Sequence, residues 1–449
     1  MATRDELRAA GRLTGDVLAG GVGLLADVQR AIAHRAFGGR RAHRATDATL
    51  DAAPTTAAAT HHTYHAITDA VYGAARGVVS VVPRLVASGA ALAKGDAPAW
   101  TDRPRGRAVI SALNGIWGDT IDRRYPELSP GMAVRVGHRD VDIVPGALAA
   151  AFPDATPRIC VFVHGLCETD ESWLRQPKGT TVPLAAYGPR LHDDLGYTPV
   201  YLRYNSGLRV SDNGTAFADL LEELVAGWPV AVEEVVLVGH SMGGLVARSA
   251  CRAGELAGRH WVGHVHHVFC LGTPHLGAPL EKGVNVASSV LGLLPETRPL
   301  ATQLNHRSAG VKDLRYGAIV EEDWRDIDPD EFLRDRCTEV PFLPDAAYYF
   351  VGATLTVDAR HPVAALVGDL LVRLPSAAGV GRRRRVPFEL DRGVHLGGLS
   401  HFDLLNHPAV YEQLRDWLAA AAADRSDDDP PPTRGRSLRW VRGNDGADS

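Results

Sequence analysis

Cysteine is scarce in this chain: five residues in 449 (Cys160, Cys167, Cys251, Cys270 and Cys337), an odd number with no C-x-x-C spacing. That argues against a disulfide framework, and several of the five fall in apolar stretches where a free thiol packs as a small hydrophobe. A reducing, cytoplasmic compartment is the expectation. Long hydrophobic runs are missing too. No stretch of about 18 uncharged apolar residues occurs, the nearest being broken by Asp27 and by Pro83-Arg84. The first residues, Met1 to Arg8, mix acids with bases and lack the basic-then-apolar order of a secretory signal. Net charge is small as well, −5 over the whole chain, and gives no reason to expect a nucleic-acid partner.

What is present is ordinary material for a core, with apolar residues set in two different rhythms. Over residues 5–35, Leu7, Leu13, Val17, Leu18, Leu24, Leu25, Val28 and Ile32 recur roughly on one helical face. Five glycines inside that stretch each cost a helix about 1 kcal/mol relative to alanine, so close packing is implied. A second helical pattern runs from Tyr64 to about Leu92, with a kink expected at Pro83. Residues 1–110 therefore read as an N-terminal helical region built on a hairpin. It serves as a packing layer or, given Arg30, Arg35, Arg40, Arg41 and Arg44, as a surface for peripheral contact with a membrane or partner. His61, His62 and His65 lack acidic or cysteine partners, and no metal is expected there.

From Met132 the rhythm becomes that of strands. Met132–Val136 and Val141–Val144 flank Gly137-His138 as a hairpin. Ile159–Val163 is a continuous apolar run, as a parallel strand covered on both faces requires. Further strands are expected at Pro199–Tyr204, Glu234–Val238, Val265–Leu271, Ala347–Val351 and Val386–Leu390, with helices between, one of them over Ala216–Val225. The implied fold class is α/β: a mostly parallel sheet flanked by helices over 130–423. The connection spanning about 280–346 is far longer than usual and reads as a cap or lid insertion. From about Asp424 to Ser449 the composition predicts a disordered tail.

The chemistry concentrates at Val235-Val236-Leu237-Val238-Gly239-His240-Ser241-Met242-Gly243-Gly244. Strand, G-x-S-x-G and helix in succession make a nucleophile elbow. Gly239 and Gly243 are required where a side chain would strike the neighbouring strand and helix, and Ser241 is pushed clear of the sheet. A serine hydroxyl needs a base, and the base needs a carboxylate to orient it. Functional groups of such sheets lie beyond the carboxyl ends of the strands. His401, in the loop before a terminal helix at Val410–Ala421, is the preferred base, with His395 and His407 as competitors. Asp369 lies 32 positions before His401 and is the preferred acid, with Asp358 as the alternative. Upstream, Val161–Val163 ends in His164-Gly165-Leu166-Cys167, where the N–H of Leu166 can join that of Met242 as an oxyanion hole. Tyr204-Asn205-Ser206-Gly207, after its own strand, belongs at the rim of the pocket.

Together, Gly239–Gly244, His164-Gly165-Leu166 and Gly272-Thr273-Pro274-His275-Leu276-Gly277-Ala278-Pro279 resemble lipase and esterase members of the α/β-hydrolase superfamily, nearest to the group that includes the GPI inositol-deacylase type and bacterial triacylglycerol lipases. The resemblance covers about 130–420. It implies Ser241 as nucleophile, Asp369 as acid, ahead of the histidine in a G-D-x-x-V segment, and His401 as base, with Leu166 and Met242 donating to the oxyanion. It implies ester hydrolysis through an acyl-enzyme on a lipid-like or other ester substrate, with no metal or organic cofactor. Cys167 departs from the glycine or other small residue that many lipases carry in that loop. A thioester, amide or lipid-linked glycan ester as substrate, or a noncatalytic scaffold, are the rival readings.

Overall fold

The computed structural model describes residues 5–6, 8–16, 104–176, 183–278, 306–328, 335, 337–358, 368–369, 371–381, 384–426 and 439–442. The chain divides into two compact units. The smaller comprises 1–109, 121–128 and 283–307. Among its described residues 8–16 are helical, Arg12 reaches the Glu127 carboxylate at 3.2 Å, and the Tyr125 hydroxyl donates to Asp16. The rest of the expected N-terminal hairpin, with His61, His62 and His65, lies outside the described residues. No described helix is long and apolar enough to cross a membrane.

The larger unit comprises 110–120, 129–282 and 308–449. Its strands are β1 (Ala133–Val136), β2 (Arg139–Val141), β3 (Arg158–Val163), β4 (Tyr197–Arg203), β5 (Glu234–His240), β6 (Val265–Leu271), β7 (Ala347–Thr354), β8 (Gly393–Gly397) and β9 (Arg439–Arg442). They form one sheet in the order β2-β1-β4-β3-β5-β6-β7-β8-β9. The pairs β1–β2 and β1–β4 are antiparallel, and every other pair is parallel. The first hairpin turns at Gly137 and His138, both at positive φ (54° and 68°), the conformation its right-handed twist favours. Its second strand comes two residues earlier than the expected Val141–Val144.

The long helices are α1 (Pro104–Arg124, of which 110–120 belong to this unit), α2 (Tyr187–Leu195), α3 (Val210–Gly227), α4 (Met242–Leu256) and α5 (Pro408–Ser426). Period-two alternation sends the strand side chains into two separate cores. Val161, Val163, Leu237 and Phe350 meet Phe217 and Leu221 of α3 and Leu245 and Val246 of α4. Phe162, Val236, Val238 and Val351 meet Tyr187 and Leu191 of α2 and Tyr411 and Leu414 of α5. Burying one such side chain contributes about 1.5–3 kcal/mol relative to leaving it in water. This double cover is why β3 and β5 read as unbroken apolar runs.

Two expectations fail here. Val386–Leu390 is not a strand; the last strand of the central region is β8, a few residues on. Pro387 has no N–H to give a ladder, and the segment instead turns back, with Val386 N–H on the Gly379 carbonyl at 2.8 Å. Gly393 opens β8 because a Cβ there would sit 2.8 Å from Cε2 of Phe350 and closer to other ring carbons. The tail is not unstructured throughout: α5 runs to Ser426, and β9 pairs parallel with β8, Val394 to Arg439 through Gly397 to Arg442. An edge strand with open N–H and C=O groups is a template for such pairing. Of the expected 280–346 insertion, 306–328, 335 and 337–346 are described; the rest lies outside, and with it the covering role.

Candidate active site

The parallel register brings four loops to one edge of the sheet. Val163 pairs with Gly239, His240 with Leu271, Leu271 with Val351, and Thr354 with Gly397. The loops after β3, β5, β7 and β8 therefore open side by side.

Ser241 follows β5 directly and has φ 53° and ψ −122°. A non-glycine residue there costs on the order of 1–3 kcal/mol and persists only when its surroundings force it. They do: the Ser241 N–H donates to the Leu271 carbonyl at 2.8 Å, and its own carbonyl accepts from Gly244 N–H at 3.1 Å. A Cβ on Gly239 would lie 2.5 Å from the Gly243 carbonyl carbon. The turn closes only with glycine at both positions.

His401 begins a 3₁₀ turn, His401–Leu405, whose start is fixed by Ser400 N–H and Oγ on the Asp403 carboxylate at 2.8 and 2.6 Å. The Tyr187 hydroxyl of α2 holds the end of the turn through the Leu404 carbonyl at 3.0 Å. The His401 Nδ1–H donates to Asp369 Oδ2 at 2.8 Å, and its backbone N–H donates to the Asp369 carbonyl at 2.9 Å. Both side chains are 1% exposed. That tautomer leaves Nε2 with its lone pair, and among the described residues the buried Nε2 has no hydrogen-bond partner. Gly272 stands between the two groups: the residue before it accepts from Ser241 N–H, and a Cβ on it would lie 3.1 Å from His401 Cε1.

Asp369 follows Gly368 (φ 65°), whose carbonyl accepts from Leu355 N–H at 3.1 Å, one residue past β7. A loop that leaves β7 thus returns its aspartate to the strand's carboxyl end. Asp369 Oδ1 accepts from the N–H groups of Leu371 and Val372 at 3.0 and 2.8 Å. The rivals lie elsewhere. Asp358 is exposed. His395 is inside β8 on Thr354 Oγ1 at 2.8 Å. Nδ1 of His407 accepts from Ala409 N–H at 3.2 Å at the start of α5.

The loop after β3 completes the surroundings. A Cβ on Gly165 would lie 3.0 Å from the Ser241 Cβ, so glycine leaves that approach open. Its N–H donates to Glu168 Oε2 at 2.7 Å, and the Cys167 N–H donates to Ser206 Oγ at 3.1 Å. Among the described residues, the N–H groups of Leu166 and Met242 have no protein acceptor. Cys167 has φ 62°, the left-handed region that suits glycine. Burial, with the Glu168 carboxylate beside it, pushes its thiol up to about 11, which keeps it protonated and unreactive. Tyr204, Asn205 and Ser206 are buried and brace this loop from behind, the Tyr204 hydroxyl on the His164 carbonyl at 2.7 Å.

The chain order of serine on the β5 turn, aspartate after β7 and histidine after β8 is the α/β-hydrolase order. By fold the chain is an α/β-hydrolase. Residues 218–315, which enclose the serine turn, match the PGAP1-like alpha/beta domain family. Among solved structures the chain is similar to a Bacillus licheniformis lipase in mature form, at 19% identity and a TM-score of 0.37, over 59% of this chain and 91% of the other. It is also similar to a lipase-esterase related protein from Clostridium acetobutylicum (13%, TM-score 0.32, 60% and 95%) and to a phospholipase from Legionella pneumophila (17%, TM-score 0.31, 55% and 53%). No curated protein matches it.

Two buried groups of this α/β-hydrolase escape a reading of motifs: Glu168 and His240, which face each other at 3.0 Å. The only local signals are that His240 is the first variable position of G-x-S-x-G and that Glu168 stands three residues after Gly165. Among the described residues no cluster of His, Cys, Asp or Glu could hold a metal ion.

His395 gives a pH signature. Burial lowers it to about 4, the Asp358 charge opposing only in part. A ring whose folded value lies below its unfolded value of about 6.5 stabilises the fold above that pH, and the contribution is lost as pH falls toward 4. His164 and His275 are lowered by burial too and add to the slope. The melting temperature is expected to fall across that window by scanning calorimetry, and less steeply in His395→Gln. Parallel curves would refute the assignment.

Proposed function

We propose that this chain is a serine hydrolase cleaving carboxylic esters through an acyl-enzyme. The observation that carries the reading is the Asp369–His401 pair at 2.8 Å, with Nε2 of that ring buried and, among the described residues, without a partner, and the ring 4.7 Å from that of His240, the residue before the strained Ser241. In this reading Asp369 fixes the tautomer and orientation of His401. Nε2 takes the Ser241 proton as Oγ attacks the ester carbonyl, then returns it to the leaving alcohol. The N–H groups of Leu166 and Met242 receive the oxyanion, and losing one such donor costs roughly 3–4 kcal/mol of transition-state stabilisation. A water, deprotonated by the same nitrogen, attacks the acyl-enzyme and releases the acid.

The motif resemblance to lipases and esterases supports an ester, including a lipid-like one, as the substrate class. A fluorophosphonate probe tests the chemistry. Wild type is expected to be labelled and to turn over a short-chain p-nitrophenyl ester, and Ser241→Ala to do neither. Labelling that survives Ser241→Ala sinks the assignment. A labelled enzyme inert to esters but active on a thioester or amide moves the substrate and keeps the residues.

A further inference from the structure

Behind the serine turn, three strongly polar groups are buried in a line. His240 is fully buried and Glu168 nearly so. The His240 Nδ1 lies 3.0 Å from the Glu168 carboxylate, and its Nε2 lies 3.0 Å from the backbone carbonyl of His401. The same carboxylate accepts the Gly165 N–H at 2.7 Å. A carbonyl oxygen can only accept, so Nε2 carries a proton; a carboxylate that already accepts from Gly165 asks for a second proton on Nδ1. The ring partners are satisfied together by an imidazolium facing a carboxylate.

The placement matters because, among the described residues, the line joins two parts of the site that no other hydrogen bond connects directly. Gly165, whose added Cβ would lie 3.0 Å from that of Ser241, begins the loop that carries Leu166. The His401 carbonyl belongs to the residue bearing the free Nε2, and the two imidazole rings are 4.7 Å apart. His240 itself is the residue before Ser241. We propose that Glu168 and His240 are a positioning pair, an imidazolium–carboxylate brace that holds the loop of Gly165 and Leu166, the serine turn and His401 in one register. The inference rests on the serine-hydrolase reading and adds to it.

The surroundings favour the ionic form. Burial pulls His240 down, but the Glu168 charge and hydrogen bond, the His401 carbonyl and the Asp369 charge leave it above its ordinary value. Burial pushes Glu168 up, but His240, the Gly165 N–H and His164 bring it below its ordinary value. Facing the pair as well are the His401 ring, 4.7 Å from that of His240, Cys167, on the same loop, and Tyr204, after β4; burial, with the Glu168 charge, pushes Cys167 and Tyr204 up, so both stay neutral. Glu168 therefore keeps its charge below the usual carboxylate range, and His240 keeps its proton above the usual imidazole range. The brace is lost on the alkaline side as pH rises through the raised His240 value.

Steady-state kinetics on a short-chain p-nitrophenyl ester, with fluorophosphonate labelling alongside, test the pair. His240→Phe keeps the ring volume and removes both bonds; kcat is expected to fall about 100-fold, as for a small misplacement of catalytic groups, with KM within about twofold. Glu168→Gln keeps the shape and removes the charge, so the alkaline descent of kcat moves to lower pH by at least about one unit. A structural role alone would not move that limb. Wild-type kcat in His240→Phe, or an unmoved limb in Glu168→Gln, overturns the pair while wild-type labelling lost in Ser241→Ala upholds the hydrolase. If His240→Phe does not fold, the Glu168→Gln profile decides. A wild type inert to both reagents overturns the hydrolase reading and the pair's role with it.

Discussion

On the proposed chemistry, Asp369→Asn is expected to lower kcat on a short-chain aryl ester by about 10⁴-fold, with a much smaller change in KM. The size follows from how the carboxylate is held. Oδ1 faces two N–H donors, those of Leu371 and Val372, at 3.0 and 2.8 Å. An asparagine must give those donors its oxygen, because turning the amide would aim N–H at N–H. Its nitrogen is then forced toward His401 Nδ1, where Oδ2 accepts at 2.8 Å. Nδ1 must become the acceptor, the ring proton moves to Nε2, and Nε2 can no longer take the serine proton. The fold should be kept, since size and one side of the hydrogen bonding are unchanged, and thermal unfolding checks that. Asp358→Asn is the control: that side chain is exposed, and its charge acts on His395. A mild effect at Asp369 beside a large one at Asp358 would transfer the acid's role.

The contrast between these aspartates marks how far the sequence could be read. Apolar runs disclosed β3 and β5, because helices cover both faces, and Gly239 and Gly243 disclosed the turn, because the backbone there passes within contact distance. Asp369 and Asp358 both follow β7, and in the sequence only the interval to His401 and the resemblance to a G-D-x-x-V segment favour Asp369. What separates them is the Gly368 carbonyl returning to Leu355 N–H, a contact across a connection of more than ten residues. Glu168 and His240 were hidden for the same reason, lying 72 positions apart in the chain. Val386–Leu390 had the composition of a strand, and Pro387 with its missing N–H decided otherwise. The serine and histidine could be named by strand order because each directly follows a strand or a short turn. Asp369, delivered by a long connection, stays one of two candidates in the sequence.

Gly243→Ala should be strongly destabilising. Its Cβ would sit 2.6 Å from the His164 carbonyl oxygen and closer still to that of Val163, both backbone atoms at the end of β3. Neither can rotate away as a side chain tip would. The turn cannot retreat, because Ser241 N–H is tied to Leu271 and the Gly239 backbone already lies against Gly243 and Gly244. Relief requires α4 to lift from β3, which opens the core around the fully buried Leu245 and Val246. Overpacking of ordinary side chains costs typically 1–3 kcal/mol, and a backbone clash belongs at about 3 kcal/mol or beyond, a large share of a total near 5–15 kcal/mol. Calorimetry is expected to register a drop of about 5–10 °C in the melting temperature or loss of the folded protein. Gly146→Ala, in the short helix Pro145–Ala151 with nothing within 4 Å of its added Cβ, should leave stability unchanged or slightly raised. Should Gly243→Ala melt with the wild type, the close approach of β3 to the serine turn is not what fixes glycine there.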